Sequence, residues 1–258
     1  EYIAAGSDDN KVYLFDKDSS TPLWSYETGS LVYSVAISAD DEYIAAGSWD
    51  NKVYVFDKDS STPLWSYETG NYVHSVSISA DGEYIAAGSE DNKVFFLPRN
   101  KIEFDWDYTT GDNVYSVSIS ADGEYIAAGS KDNKVYLFDK DSSTPLWSYT
   151  TGSHVLSVAI SADGEYIVAI SQDQKLYLFD KDSSTPLWSY TTGDYWSSIS
   201  ISADGEYIAA GSSNDKIYLF DKDSSTPLWS YSTGYDVRSV AISADGEYIA
   251  AGSGDDRV

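Results

Sequence analysis

The chain has no cysteine and no methionine, only two histidines and six prolines among 258 residues, and 16 basic side chains against 42 acidic ones. Each scarcity excludes something. Without cysteine there is no disulfide framework, no thiolate zinc site, no thiol nucleophile and no thiol redox switch. A formal net charge of −26 opposes nucleic acid and anionic membranes as partners, because phosphate binding needs basic patches. No apolar run reaches the length of a membrane span, so no membrane insertion is expected. No stretch shows a convincing 3.6-residue amphipathic period, so no helix is assigned. Position 1 is not methionine, and a mature fragment or an excerpt of a longer chain is expected, with any targeting signal outside these residues.

What is present is aromatic and repetitive. Eight Trp, 23 Tyr and 8 Phe, with 42% apolar residues, argue against global disorder. The string Glu-Tyr-Ile-Ala-Ala-Gly-Ser starts at Glu1, Glu42, Glu83, Glu124, Glu206 and Glu247, with a variant at Glu165. Every step is 41 residues, giving six units and the first 12 residues of a seventh, Glu247 to Val258. Internal repetition at such a period decides the fold before any local reading does.

Each unit reads as four short strands. In the second they are Val32–Asp40, Glu42–Ser48, Lys52–Asp57 and Pro63–Gly70. Ala-Asp-Gly, Asp-Asn, Asp-Lys-Asp-Ser-Ser-Thr and Thr-Gly segments punctuate them as turns. Four antiparallel strands in about 40 residues is the arithmetic of a propeller blade, and such sheets bury their faces only by stacking. The Ala-Ala-Gly-Ser run (Ala4–Ser7) suits close approach of a neighbouring sheet. One Trp recurs at positions 24, 65, 106, 147, 188 and 229, each followed two residues on by Tyr. Burying such a ring contributes very roughly 4–6 kcal/mol as an upper estimate. These pairs are expected to pack blade against blade. The predicted class is all-β: a single-domain β-propeller over residues 1–258.

The segment Ser75–Val94 resembles the WD-repeat consensus. Val135–Gly152, with its Tyr-Leu-Phe-Asp, turn, Leu-Trp and Thr-Gly, is similar to the quinoprotein-like (PQQ-like) repeat. The Trp-Asp dipeptide of true WD repeats is replaced by Phe-Asp (Phe15-Asp16, Phe56-Asp57, Phe138-Asp139), and the family's Gly-His turn is missing. The resemblance is therefore closest to WD/quinoprotein-like propellers of prokaryotic surface proteins. It implies seven blades in preference to six, and an extracellular or cell-surface setting in a prokaryote, archaea among them. It says little about function, because propellers host many. The third unit departs at Phe96–Trp106, where Pro98 replaces the usual Asp; a drifted edge loop is expected there, with a contact to a partner domain as the alternative.

The units differ from one another at two places. One residue follows each Glu-Tyr-Ile-Ala-Ala-Gly-Ser: Asp8, Trp49, Glu90, Lys131, Gln172, Ser213, Gly254. The other place follows each Thr-Gly, as in Ser30–Tyr33 and Asn71–His74. In an antiparallel blade both connections emerge on the same face, so one face varies and the other scarcely does. The variable face is the expected partner-binding surface, with Trp49, Tyr33, Tyr72, His74, Tyr115, His154, Tyr195, Trp196 and Arg238 as its residues. Neutral drift of exposed loops is the competing explanation. The partner would be a protein or a glycan.

The constant face repeats Asp16-Lys17-Asp18-Ser19-Ser20. Its D-x-D-x-S spacing resembles part of a calcium loop but lacks the glycine and the distal Glu, so turn chemistry is the first reading, calcium the second, and no cofactor is expected. His74 and His154 sit two units apart and read as surface residues. No triad or phosphate loop is specific, and near-perfect repetition leaves little room for an asymmetric active site, so no enzyme is expected. Two readings remain: an interaction module using the variable face, or a structural repeat that self-assembles into homo-oligomers by strand exchange through its incomplete last blade.

Overall fold

The structure, a computed structural model, describes residues 1–100 and 105–254. Lys101 to Phe104, inside the divergent third-unit segment, and Asp255 to Val258, inside the seventh unit, lie outside the described residues. Among the described residues there are 25 strands in seven antiparallel sheets, and no helix. The first sheet is β1 (Tyr2–Gly6), β2 (Lys11–Asp16) and β3 (Pro22–Glu27). Five sheets are complete. They are β4–β7 (Val32–Ile37, Tyr43–Ser48, Lys52–Asp57, Trp65–Glu68) and β8–β11 (Val73–Ile78, Tyr84–Ser89, Lys93–Pro98, Trp106–Thr109). Then come β12–β15 (Val114–Ile119, Tyr125–Ser130, Lys134–Asp139, Trp147–Thr150) and β16–β19 (Val155–Ile160, Tyr166–Ser171, Lys175–Asp180, Trp188–Thr191). The fifth is β20–β23 (Trp196–Ile201, Tyr207–Ser212, Lys216–Asp221, Trp229–Ser232). The last sheet is β24 (Val237–Ile242) and β25 (Ile249–Ser253).

The sheets are propeller blades, six or seven by count: among the described residues five are complete, the first sheet has no channel-side strand and the last has only its two inner strands. In the complete blades the fourth strand begins at Trp, two residues later than the sequence pattern suggests. Proline has no N–H for the ladder, so the segment joins only at Leu64, whose N–H donates to Val55 O at 2.8 Å.

The first strands stand side by side around a central channel. At one end a cavity of about 370 Å³ is lined by Ile37, Ile78, Ile119, Ile160, Ile201 and Ile242, one from each inner strand. There the Ala-Asp-Gly turns bond one blade to the next: Ala80 N–H donates to Ala121 O at 2.9 Å, and Ala121 N–H to Ala162 O at 3.0 Å. Serines on the inner strands add to this, with Ser75 Oγ accepting from Val117 N at 3.1 Å and Ser116 Oγ from Val158 N at 3.1 Å.

The seams between blades hold the core. Between β12–β15 and β16–β19, buried Ala127, Val135 and Leu137 meet Val155, Ile167, Ala169 and Phe179. Trp147 lies 5.3 Å from Phe179, and its Nε1 donates to Lys181 O at 2.7 Å. Tyr149 meets the same Phe179 edge-on at 5.2 Å. The equivalent bonds run from Trp24 to Lys58 O (2.7 Å), Trp65 to Arg99 O (2.5 Å), Trp106 to Lys140 O (2.7 Å) and Trp188 to Lys222 O (2.6 Å). Five of the six recurring Trp and Tyr pairs are thus seam residues, as expected; the sixth, Trp229 and Tyr231, is exposed. The glycine of the second strand permits the approach: a Cβ on Gly129 would stand 2.6 Å from Val155 Cγ1 of the next blade.

A second lock ties neighbouring blades. Asp132 Oδ2 accepts from Gly111 N of the preceding blade (2.8 Å) and from Tyr136 OH, while its Oδ1 accepts from Lys134 N (3.0 Å). Asp50 and Asp173 do the same with Gly29 and Tyr54, and with Gly152 and Tyr177. The carboxylate satisfies two backbone donors and a phenol that the seam removes from water. Burial, then the bond to its Asp, pushes each of Tyr54, Tyr136 and Tyr177 well above the ordinary phenol value. A raised folded-state value means that this stabilisation is complete below about pH 10 and is lost as pH rises through the raised value. Alkaline titration followed at 295 nm is expected to show an ionisation step above the ordinary phenol range that coincides with loss of circular dichroism. Ionisation of all tyrosines in one step with the fold intact would contradict the lock.

The constant-face Asp residues serve their turns. Asp16 Oδ1 accepts from Asp18 N at 2.9 Å, and Asp40 Oδ1 from Ser38 Oγ at 2.5 Å and Glu42 N at 3.1 Å. In the divergent third unit Arg99 stands where the others carry Lys. Its guanidinium lies 3.8 Å over the Tyr43 ring and pairs with Glu83.

Candidate functional site

Six inner strands carry the same irregularity. Each first strand slips register by one residue against its second strand, between Val32 and Ser34, Val73 and Ser75, Val114 and Ser116, Val155 and Ser157, Trp196 and Ser198, and Val237 and Ser239. The bulged residues are Tyr33, His74, Tyr115, Leu156, Ser197 and Arg238. A bulge leaves its residue out of the ladder and re-aims its side chain. Here it turns the varying residue of each blade to the end of the channel opposite the isoleucine cavity. The Val-x-Ser-Val pattern contained these residues but not the bulge, which only pairing register reveals.

On one side of that mouth the residues form a continuous aromatic cluster. Trp49, in the turn between β5 and β6, is stacked between Tyr33 (5.6 Å, 17°) and Tyr72 (5.0 Å, 7°). His74 meets Tyr33 edge-on at 5.4 Å, Trp49 at 6.1 Å and Tyr115 at 5.5 Å. His74 Nε2 lies 2.9 Å from Glu90 Oε1. The two variable places of a blade therefore touch: Tyr33 with Trp49 in one, His74 with Glu90 in the next. Lys131, at the same turn position one blade on, reaches Asp112 at 3.8 Å. Five of the nine expected face residues, Trp49, Tyr33, Tyr72, His74 and Tyr115, are brought together.

Trp49 differs from its expected role. Both faces of its ring are covered, so the surface offered outward is made by the outer tyrosines, Tyr33 at 58% exposure and Tyr72 at 40%. Its indole N–H is buried with no partner among the described residues, a cost of about 1–3 kcal/mol. Stability does not select such a residue, and the other blades place Asp8, Glu90, Lys131, Gln172, Ser213 or Gly254 there.

Trp196 is a correction. It is 2% exposed, a core residue and not a surface anchor. Its ring packs 5.4 Å from Tyr218, and its Nε1 donates to Gln174 O at 3.1 Å. The cause lies across the seam. Ile170 stands where the other second strands have Gly, so the β16–β19 and β20–β23 sheets cannot close as tightly, and Trp196 fills the space together with Val168 and Ile170. The signal was available: Trp196 aligns with Val32, Val73, Val114, Val155 and Val237, all core residues. The same blade has Asn214 in place of the locking Asp, donating from Nδ2 to Tyr218 OH at 2.7 Å.

The remaining residues stay apart. Tyr195 and Arg238 are exposed and His154 is half-buried, but among the described residues none makes a ring contact with the cluster. Also among the described residues, no group of three or more His, Asp or Glu is arranged to hold a metal ion, and no helix is long and apolar enough to cross a membrane.

Comparison with known families agrees with this architecture. The family model described as outer membrane protein assembly factor BamB, a PQQ-like repeat, matches residues 115–253, just over half the chain. The model described as WD domain, G-beta repeat, matches residues 20–57 and 61–96. No curated protein matches the chain. Sheets of four antiparallel strands, a 41-residue period and these two matches lead to one conclusion: the chain belongs to the PQQ-like repeat family within the WD-repeat/PQQ-like β-propeller superfamily.

Proposed function

We propose that this protein is a non-catalytic interaction module that binds a protein segment at the bulge-lined mouth of its channel. The observation that supports this most is the stack Tyr33–Trp49–Tyr72 with His74 and Tyr115 against it. Aromatic clusters on rigid scaffolds are common binding anchors, and the fold itself requires none of these five side chains. The net charge of −26 favours a partner segment that carries basic residues beside its apolar anchor. No cofactor enters this reading, and its setting is a cell surface or the extracellular space.

Peptide display against the folded protein, run beside a glycan array, tests it. Selected basic-aromatic peptides are expected to bind at least tenfold more weakly to Tyr33→Ser/Tyr72→Ser, and equally well to Asp59→Asn/Asp141→Asn on the opposite face. Ligands that ignore the first pair and respond to the second would overturn the proposal. Glycan ligands alone at the tyrosines would replace the partner class and keep the face.

A further inference from the structure

One internal seam is held differently from its neighbours. Where the β12–β15 and β16–β19 sheets meet, Gly152 N–H donates to Asp173 at 2.7 Å and Val158 N–H to Ser116 Oγ at 3.1 Å. The two seams before it carry the same pair of ties: Gly111 to Asp132 with Val117 to Ser75, and Gly70 to Asp91 with Val76 to Ser34. Both ties lie toward the bulge-lined mouth of the channel.

Between β16–β19 and β20–β23 both ties are missing among the described residues. Asn214 occupies the lock position, donates to Tyr218 OH and keeps a buried Oδ1 without a partner. Neither Gly193 N–H nor Ser157 Oγ makes a hydrogen bond among the described residues. The Thr-Gly turn is rebuilt. Gly193 is left-handed at φ 80°, unlike Gly70, Gly111 and Gly152. A Cβ on it would meet nothing within 4 Å, where one on Gly152 would stand 3.0 Å from Asp173 Cβ. The Gln174 carbonyl has also changed partners. At the corresponding Asn133 O, Thr151 donates from both its N–H and its Oγ1, at 2.8 and 2.9 Å. Gln174 O receives the Thr192 N–H at 3.3 Å and the Trp196 indole at 3.1 Å. Away from the mouth the seam is ordinary. Ala162 N–H donates to Ala203 O at 3.0 Å, and Trp188 Nε1 to Lys222 O at 2.6 Å.

We propose that this seam is the joint at which the propeller opens at its mouth, with Trp196 as the wedge that holds it shut. In the neighbouring seams the mouth end is fastened by backbone donors on a carboxylate and a hydroxyl. Here it is fastened by one ring, packed among Val168, Ile170, Tyr190 and Tyr218, and by that ring's single bond to Gln174 O. When the ring withdraws, no tie is left at the mouth, while the Ala162 and Trp188 bonds at the opposite face remain as the hinge. Ile170, at a glycine position, keeps the two sheets too far apart for the ordinary ties to form in its place. Local opening starts where the fewest hydrogen bonds must break, and closure about a fixed edge is a common form of domain motion. The joint does not depend on the binding reading of the mouth.

Hydrogen exchange of the indole and backbone N–H groups, resolved by NMR on the whole chain, tests it. Trp196 is 2% exposed and Trp106 8%, and both indoles are bonded to a carbonyl. Burial alone therefore makes Trp196 the slower of the two. The joint predicts the reverse, with the Trp196 indole exchanging about tenfold faster than that of Trp106, or more. Ile170→Gly/Trp196→Val/Asn214→Asp gives the seam the residues of its neighbours. In that variant the Gly193 and Ile199 amides are expected to slow to within about threefold of Gly152 and Val158. Circular dichroism confirms that it is folded. Asn214→Asp alone serves if it is not, and is expected to slow the Trp196 indole. A wild-type Trp196 indole as slow as that of Trp106, or slower, would overturn the proposal. So would Gly193 and Ile199 amides that exchange as fast in the folded triple variant as in the wild type, or a Trp196 indole that Asn214→Asp leaves unchanged.

Discussion

Phe138→Ala is expected to lower the stability of the folded protein by about 3–5 kcal/mol. Phe138 is fully buried in β14. Trp106 lies 5.2 Å from it, Tyr108 meets it edge-on at 5.2 Å, and Tyr136 lies 6.1 Å away. Removing the ring opens a cavity in a seam whose backbone is tied by Trp106 to Lys140 O and by Asp132 to Gly111 N, so it cannot collapse freely. In a repeat array each blade depends on its neighbours, and a weakened central seam affects both halves. Urea unfolding followed by Trp fluorescence measures the loss. Phe138→Leu, which keeps most of the volume, is expected to cost under about 1.5 kcal/mol. A loss below about 1 kcal/mol for the alanine variant would show that the seams are not where stability resides.

Trp49→Ala is expected to act in the opposite sense, on binding and scarcely on stability. Loss of a central aromatic anchor typically costs 2 kcal/mol or more, about thirtyfold in affinity. Without Trp49 the two outer tyrosines lose the ring that holds them parallel. Stability should change by no more than about 1 kcal/mol, because stacking is lost while a buried unpartnered N–H is removed. Calorimetry with a selected ligand and urea unfolding of the same variant separate the two effects. Equal affinity would remove Trp49 from the site, and a large stability loss would return it to the core.

The period of 41 residues, the four strands of each unit and the seam role of the recurring Trp were legible because each is written six times over. Repetition turns one weak strand signal into a consistent one. The varying face was legible for the same reason: against a constant background, Trp49, Tyr33, Tyr72, His74 and Tyr115 stand out. Three features were not legible. The bulge depends on strand register, which a period-two pattern does not fix. The Asp132 lock reaches Gly111 of the preceding blade, a contact no local motif shows, although its other partner, Tyr136, lies only four residues on in the same blade. Trp196 lies next to a loop, where an aromatic residue is expected to be exposed, but Ile170 across the seam, at a glycine position, makes room for it in the core. Local identity gave composition of the face, but packing decided which residues reach it.

The mouth of the channel is most directly tested by amide hydrogen exchange of the protein with and without a ligand selected by display. Protection is expected in the turns and bulges around Tyr33, Trp49, Tyr72, His74 and Tyr115, with the Asp-Lys-Asp-Ser-Ser loops unchanged. Protection confined to those loops, with the aromatic mouth exchanging as in the free protein, would contradict the proposed function.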